Sequence, residues 1–293
     1  MTLWRLHIRP SPKNGKTHDD VVSSCMQRGI AGIGWPISKK PQDLAEYIEL
    51  ASSEFKSSVS SISFAVNPKI DDLFWARDPS GVYYLGKING TWSYSDHPDD
   101  LELDIPNQIP CSWMKVGNEE NVPGKIIACF RPRRTFQAIR DEKMEDFSKW
   151  LYNKLSKENY YEIEMDSFHN MNSDTFFKMI SSDDCEDIVG LYLQIQENYC
   201  LIPSTCKSDT TGYEFILKHR QTKKTAAAQV KQGLINLDDT LSHSADTIYL
   251  FSTLGQVSFE KDNIIPLDKE ELYHFILSNK DLLPNKILYW FNL

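Results

Sequence analysis

From Ser182 to Ser252 the spacing of apolar residues changes character in a set order, and that order restricts the folds open to the chain. Ile188, Leu191, Tyr192 and Ile195 recur at i, i+3, i+4 and i+7, the stripe of an amphipathic helix that Ser182 can cap. Three stretches of strand character follow, Tyr199 to Ser204, Tyr213 to Arg220 and Thr225 to Lys231. A short helix around Leu237 to His243 then leads to a fourth strand, Thr247 to Ser252. The predicted order is α-β-β-β-α-β. The chain closes with a helix introduced by Asp268 and Glu271 and carrying Leu272, Phe275 and Ile276, then an apolar segment from Ile287 to Phe291.

The first 135 residues read as short strands with helical interruptions: strands at Trp4 to Arg9 and Ile30 to Trp35, and a helix between Pro41 and Lys56. Asp72 to Arg77, a Pro79-Ser80-Gly81 turn and Val82 to Ile88 make a hairpin, followed after Gly90 by Thr91 to Tyr94. Further strands are predicted at Cys111 to Val116 and Lys125 to Arg131, a pattern that suits a small, partly closed β-barrel. Asp141 to Glu158 is helical and charged, and Ser167 to Asp174 is polar and loop-like. The class is α/β (α+β), with a first domain at 1–145, a helical linker at 146–172 and a second domain at 173–293.

A length of 293 residues with 41% hydrophobic content supports two packed cores. Arg5 and Arg9 interrupt the amino terminus, and no segment approaches the roughly 20 apolar residues of a membrane span. Six cysteines are scattered without a CxxC pair, and the seven histidines show no ligand spacing, so a zinc site is not expected. Reduced thiols and the missing leader predict a soluble, cytoplasmic protein without a membrane partner. The net charge is −9, yet Lys207, Lys218, Arg220, Lys223, Lys224 and Lys231 face only Asp209 and Glu214 between 207 and 231, a local charge of +4. A phosphate backbone senses such a nearby field more than a distant one. Neither a Walker lysine loop nor a GxSxG elbow is present, which excludes phosphate-loop ATP hydrolysis and elbow-type serine hydrolysis.

Chemistry is concentrated in GYEFILKHRQTKKTAAAQVKQG. If Gln221 to Lys224 form the turn, facing residues have numbers summing to about 445, which sets Glu214 opposite Lys231. Gln229 and Lys231 share a face because side chains alternate along a strand. A hard cation, Mg²⁺ or Mn²⁺, takes oxygen ligands, which the Glu214 carboxylate, the Gln229 side-chain carbonyl and the Val230 backbone carbonyl can supply. Such an ion activates water and offsets charge on a phosphodiester, and Lys231 can stabilise the pentavalent state. Outside that fold, Glu214 and Lys231 would amount to a cross-strand ion pair worth well under about 1 kcal/mol.

Over roughly 175 to 255 the chain resembles the PD-(D/E)xK nuclease superfamily, and more narrowly the Mrr-like restriction endonucleases, whose core has the α-β-β-β-α-β order. Glu214 stands where the first acid is usually Asp, and Gln229-Val230-Lys231 where the ExK or QxK stands. Glu for Asp lengthens that ligand by one methylene; Asp209 is the reserve acid. Glu186 occupies the place of the helix acid that assists the metal or the lysine in such families. The resemblance implies a Mg²⁺- or Mn²⁺-dependent DNA endonuclease of a prokaryote, serving modification-dependent restriction or phage defence. A homodimer would cut both strands.

The segment DDLFWARDPSGVYYLGKINGTWSY, with GIAGIGWPI and CSWMKV, resembles the core of PUA-like and EVE-like β-barrels, whose relatives hold a flipped, often modified base between aromatic walls. The resemblance implies Trp35, Trp75, Trp92, Tyr94 and Trp113 as candidate walls, with Trp35 and Trp92 the more exposed. Arg131, Arg133 and Arg134 are candidate phosphate contacts. Two alternatives stay open: a nucleic-acid reader whose nuclease fold is only scaffold, and an RNA-directed reader or enzyme, since PUA-like barrels also serve RNA.

Overall fold

The computed structural model describes residues 1–55, 59–163, 171–206, 212–238 and 245–291. They fall into two compact units, one of Met1–Val122 with Ile126–Glu164 and one of Pro123–Lys125 with Met165–Leu293.

The first unit is a mixed sheet with helices. Its strands are β1 (Leu3–Leu6), β2 (Ile30–Ile33), β3 (Leu73–Arg77), β4 (Tyr83–Ile88), β5 (Ser93–Tyr94), β6 (Asn107–Gly117) and β7 (Phe136–Ile139), in the order β2-β6-β4-β3-β1-β7 with β5 also on β6. Only β1 and β3 pair in parallel. The eleven-residue β6 pairs with β2 and β5 through its first half and with β4 through its second, and the sheet curls into a half-barrel. Helices α1 (His18–Arg28), α2 (Leu44–Glu54), α3 (Val59–Val66) and α4 (Pro98–Glu102) punctuate the strands, as does α5 (Gly124–Cys129), of which Ile126–Cys129 belongs to this unit, and α6 (Glu142–Ser156) follows them.

Every residue of β1 is buried, as are the first four of β3, because both faces are covered. Trp4, Leu6, Phe74 and Ala76 join Val21, Val22 and Cys25 of α1 in one core. On the alternate parity lies Trp75, whose indole N–H donates to Ser148 Oγ of α6 at 2.9 Å. Of the expected linker at 146–172, the part within α6 packs into this unit, since Phe147, Ser148, Leu151 and Tyr152 are buried. Lys125 to Arg131, expected as a strand, forms α5 instead; a short apolar run such as KIIAC carries no period able to separate the two forms.

A buried cation organises the turn before β7. The Arg5 guanidinium is fully buried and donates to the carbonyls of Pro132 (3.2 Å) and Arg134 and to Gln137 Oε1 (3.1 Å). Burial, assisted by the neighbouring Arg134 and Arg9 charges, pulls its pKa down to about 10, so it stays charged at neutral pH. His7, also buried, places Nε2 3.2 Å from the Pro132 carbonyl. Burial and then the charges of Arg5 and Arg9 pull the His7 pKa down to about 4. An unfolded histidine titrates near 6.5, so the stability is complete above that pH and is lost as the pH falls toward 4, because only the unfolded chain takes the proton. Between pH 7 and 4.5 the parent is expected to lose about 2–3 kcal/mol more than His7→Gln in urea unfolding. Parallel pH dependences for the two proteins would show that His7 is not the cause.

The second unit is built on β8 (Tyr199–Leu201), β9 (Phe215–His219), β10 (Thr225–Lys231), β11 (Thr247–Ser252) and β12 (Ile264–Pro266), ordered β12-β11-β10-β9-β8. β8, β9 and β10 form an antiparallel meander, while β10, β11 and β12 are parallel. Its margins, β8 and β12, are three residues each. Helices α7 (Ser173–Met179), α8 (Ser182–Ile195), α9 (Lys269–Ser278) and α10 (Asn285–Leu288) complete it. The cap of α8 is Ser181 rather than Ser182, closing a capping box with Asp184. The helix expected at Leu237 to His243 lies largely outside the described residues; Leu237 itself makes an isolated parallel bridge with Val257.

Candidate functional site

The β9–β10 turn sets the register of the expected cluster. His219 N–H donates to the Lys224 carbonyl at 2.9 Å, so the loop is Arg220 to Lys223, with Lys223 in the left-handed region at φ 63°. The His219 imidazole fixes this arrangement, its Nδ1 accepting the N–H groups of Gln221 (3.2 Å) and Thr222 (3.1 Å). Thr225 consequently pairs with Lys218 and Ala228 with Phe215. The register is thus displaced by two residues from the expected one, and Glu214 does not lie opposite Lys231. Glu214 N–H donates to the Ala228 carbonyl at 2.8 Å, so Glu214 and Phe215 both face Ala228, the two-against-one step of a β-bulge.

Lys231 nonetheless reaches Glu214 across this offset, its ammonium forming an ion pair with Oε1. Both side chains are partly buried. Beside them Gln229 is 9% exposed, and its buried Oε1 has no hydrogen-bond donor among the described residues. An amide oxygen left in that state costs about 1–3 kcal/mol, so the sequence retains it against stability. The Lys231 carbonyl turns toward β11, where Thr253 N–H donates to it at 3.0 Å. Alternation turns the Val230 carbonyl the other way, beyond the last registered β9–β10 pair. The Glu214 carboxylate and the Lys231 ammonium thus meet near the end of β10 that also carries Gln229 and Val230.

Glu186 is partly exposed on α8, and its charge acts on the thiols of Cys185 and Cys206. Asp209 and Lys207 lie outside the described residues. Lys218, Arg220, Lys223 and Lys224 gather at the hairpin tip, roughly 20 Å along β10 from Lys231 at about 3.3 Å per residue. Those four carry +4 at the tip, whereas Lys231 and Glu214 at the far end offset one another, so the basic residues do not surround the cluster. No group of three or more His, Cys, Asp or Glu residues suited to hold a metal is found among the described residues.

The first unit contains a cavity of about 400 Å³ lined by Trp35, Gly34, Asp104, Arg9, Ser11 and Thr135, among others. Two of these residues hold left-handed backbone without being glycine, Trp35 at φ 68° and Asp104 at φ 53°. Such conformations cost of order 1–3 kcal/mol and persist where the surroundings impose them. Here Asn107 imposes one, its Nδ2 donating to the Gly34 carbonyl at 2.6 Å and to that of Trp35 at 3.4 Å. Gly34 permits the other: a Cβ there would sit 2.7 Å from Asp104 Oδ2. Burial raises the Asp104 carboxyl above its ordinary pKa, opposed by the Ser11 N–H and Lys13.

The remaining aromatic candidates are committed to packing. Trp75 is fully buried, so it cannot be an open wall. Trp92 donates to Asn107 Oδ1 at 3.1 Å and lies against Tyr47; the Tyr94 hydroxyl accepts the Ile37 N–H at 2.9 Å; Trp113 donates to the Ile30 carbonyl at 2.9 Å and stacks on Phe74. Arg131, Arg133 and Arg134 are exposed on the turn that Arg5 holds. Sequence reasoning passed over Asp104, Arg9 and His7. The paired glycines of GIAGIGW were the available signal, since a glycine within a strand marks close approach of another group.

Protein-family models, curated proteins and solved structures give no match to this chain. Among the described residues no helix is long and apolar enough to cross a membrane.

Proposed function

We propose that the protein is a divalent-metal-dependent phosphodiesterase acting on nucleic acid, DNA in the first instance, with its chemistry at Glu214, Gln229 and Lys231 and a base-holding cavity at Trp35. One observation carries the reading: a buried amide oxygen without a donor, beside a carboxylate and an ammonium at one end of β10. That oxygen fits a hard cation, which Glu214, Gln229 and the Val230 carbonyl would hold. When bound, Mg²⁺ or Mn²⁺ supplies positive charge to a phosphodiester and acidity to a water. Glu214 holds Lys231 in place through its ion pair, and Lys231 offers a positive charge to a phosphate oxygen.

The cavity of the first unit has the size and aromatic wall of a site for a planar ring. The resemblances to Mrr-like nucleases and PUA-like barrels favour modified DNA as substrate and restriction or phage defence as setting. A homodimer acting on both strands belongs to the same reading. Plasmid DNA, with and without modified bases, should be nicked or cut with Mn²⁺ or Mg²⁺ and stay intact in EDTA. Glu214→Ala should lose the activity. Equal cutting by Glu214→Ala and the parent, or preferential cutting of structured RNA, would remove the assignment as written.

A further inference from the structure

We infer that Asp104 selects the base held against Trp35: its free carboxylate oxygen accepts a hydrogen bond from an exocyclic amine, so the cavity takes amino-bearing bases over thymine or uracil. This rests on reading the cavity as a base pocket.

The carboxylate is fixed before any ligand arrives. Its Oδ2 accepts the Ser11 N–H at 2.7 Å, and the bare Cα of Gly34 lets the group lie against the end of β2. Left-handed backbone at both Asp104 and Trp35 aims an acceptor and a flat wall into one cavity. Oδ1 receives no hydrogen bond from the described residues. Arg9, exposed on the same cavity and without an ion-pair partner among the described residues, offers a guanidinium to a phosphate. A planar ring, a donor on its edge and an attached anion together describe a nucleotide.

The carboxylate also discriminates among nucleotides. Ionised, it only accepts, and its best partner on a base edge is an amine such as cytosine N4. The imide N–H of uracil or thymine is flanked by two carbonyl oxygens, both of which would face the anionic group. The cytosine amine meets an acceptor atom, N3, on one side only.

The test uses the full chain in EDTA, so that cleavage plays no part, and measures binding to duplexes bearing one bulged cytosine or one bulged uracil. The parent is expected to prefer cytosine by about tenfold, the yield of one hydrogen bond to a charged acceptor. Asp104→Asn keeps an oxygen for Ser11 and tolerates left-handed backbone; it should bring the ratio to near unity. Trp35→Ala should weaken both complexes. Equal binding by the parent, a uracil preference, or an unchanged ratio in Asp104→Asn would overturn the assignment of Asp104. In those cases weakening by Trp35→Ala would leave the base pocket itself standing. Binding unaffected by Trp35→Ala would end both. Should Asp104→Asn not fold, the parent ratio alone decides.

Discussion

Gln229→Leu is expected to cut the cleavage rate at least about a hundredfold while raising the stability of the carboxy-terminal unit by roughly 1 kcal/mol. The opposed signs come from one atom. Gln229 Oε1 is buried without a donor, and leucine of similar volume replaces that unsatisfied acceptor with apolar surface. Leucine has no oxygen to give a cation, so the same change removes a ligand from the set formed with Glu214 and the Val230 carbonyl. Thermal unfolding should rise by a few degrees, and plasmid cleavage in Mn²⁺ should fall below detection at parent concentrations. A Gln229→Leu protein that cuts like the parent would sink the role of the amide. One that melts lower would show that the oxygen has a partner in the folded chain.

Arg5→Met should destabilise the amino-terminal unit by about 2–4 kcal/mol, since hydrogen bonds from a charged group contribute about 1.5–3 kcal/mol each. The guanidinium serves two backbone carbonyls and the Gln137 side chain, and Met leaves all three without that donor. Arg5→Lys should not restore the loss, because an ammonium lacks the planar fork that spans all three acceptors. The melting temperature should fall by roughly 10 °C, at about 2–4 °C per kcal/mol for a unit of this size. An Arg5→Met protein unfolding within about 0.5 kcal/mol of the parent would mean that water meets those carbonyls. Arg131, Arg133 and Arg134 would lose their fixed backbone in the destabilised protein, so binding to polyanions should weaken with it.

The parts of this fold that were legible in the sequence are those where one period dominates. Ile188, Leu191 and Tyr192 announce α8, and the stretches expected as strands at Thr225 to Lys231 and Thr247 to Ser252 coincide with β10 and β11. Side-chain chemistry outside the periodicity decided the rest. Nothing in HRQTKK declares that an imidazole will cap two amides, yet that cap moves the register by two residues. Glu214 and Lys231 still meet, because two long side chains span the offset. The first half was harder to read because both faces of β1 and β3 are covered, so alternation is lost and Trp75 looks like any other tryptophan. Asp104 was invisible for a different reason: its importance lies in Gly34 and Ser11, some 70 and 93 residues away in the chain.

The short margins of the second unit's sheet bear on how the protein behaves at high concentration. An unpaired strand edge is a template on which another chain can build, and the danger grows with its length. β8 and β12 each offer three residues, and β12 ends in Pro266, which has no N–H to give. The alanine-rich, almost uncharged run of β10, the segment most prone to stack with its own copies, lies in the middle of the sheet with a strand on either side. The chain thus hides its stickiest sequence behind margins too short to recruit a neighbour.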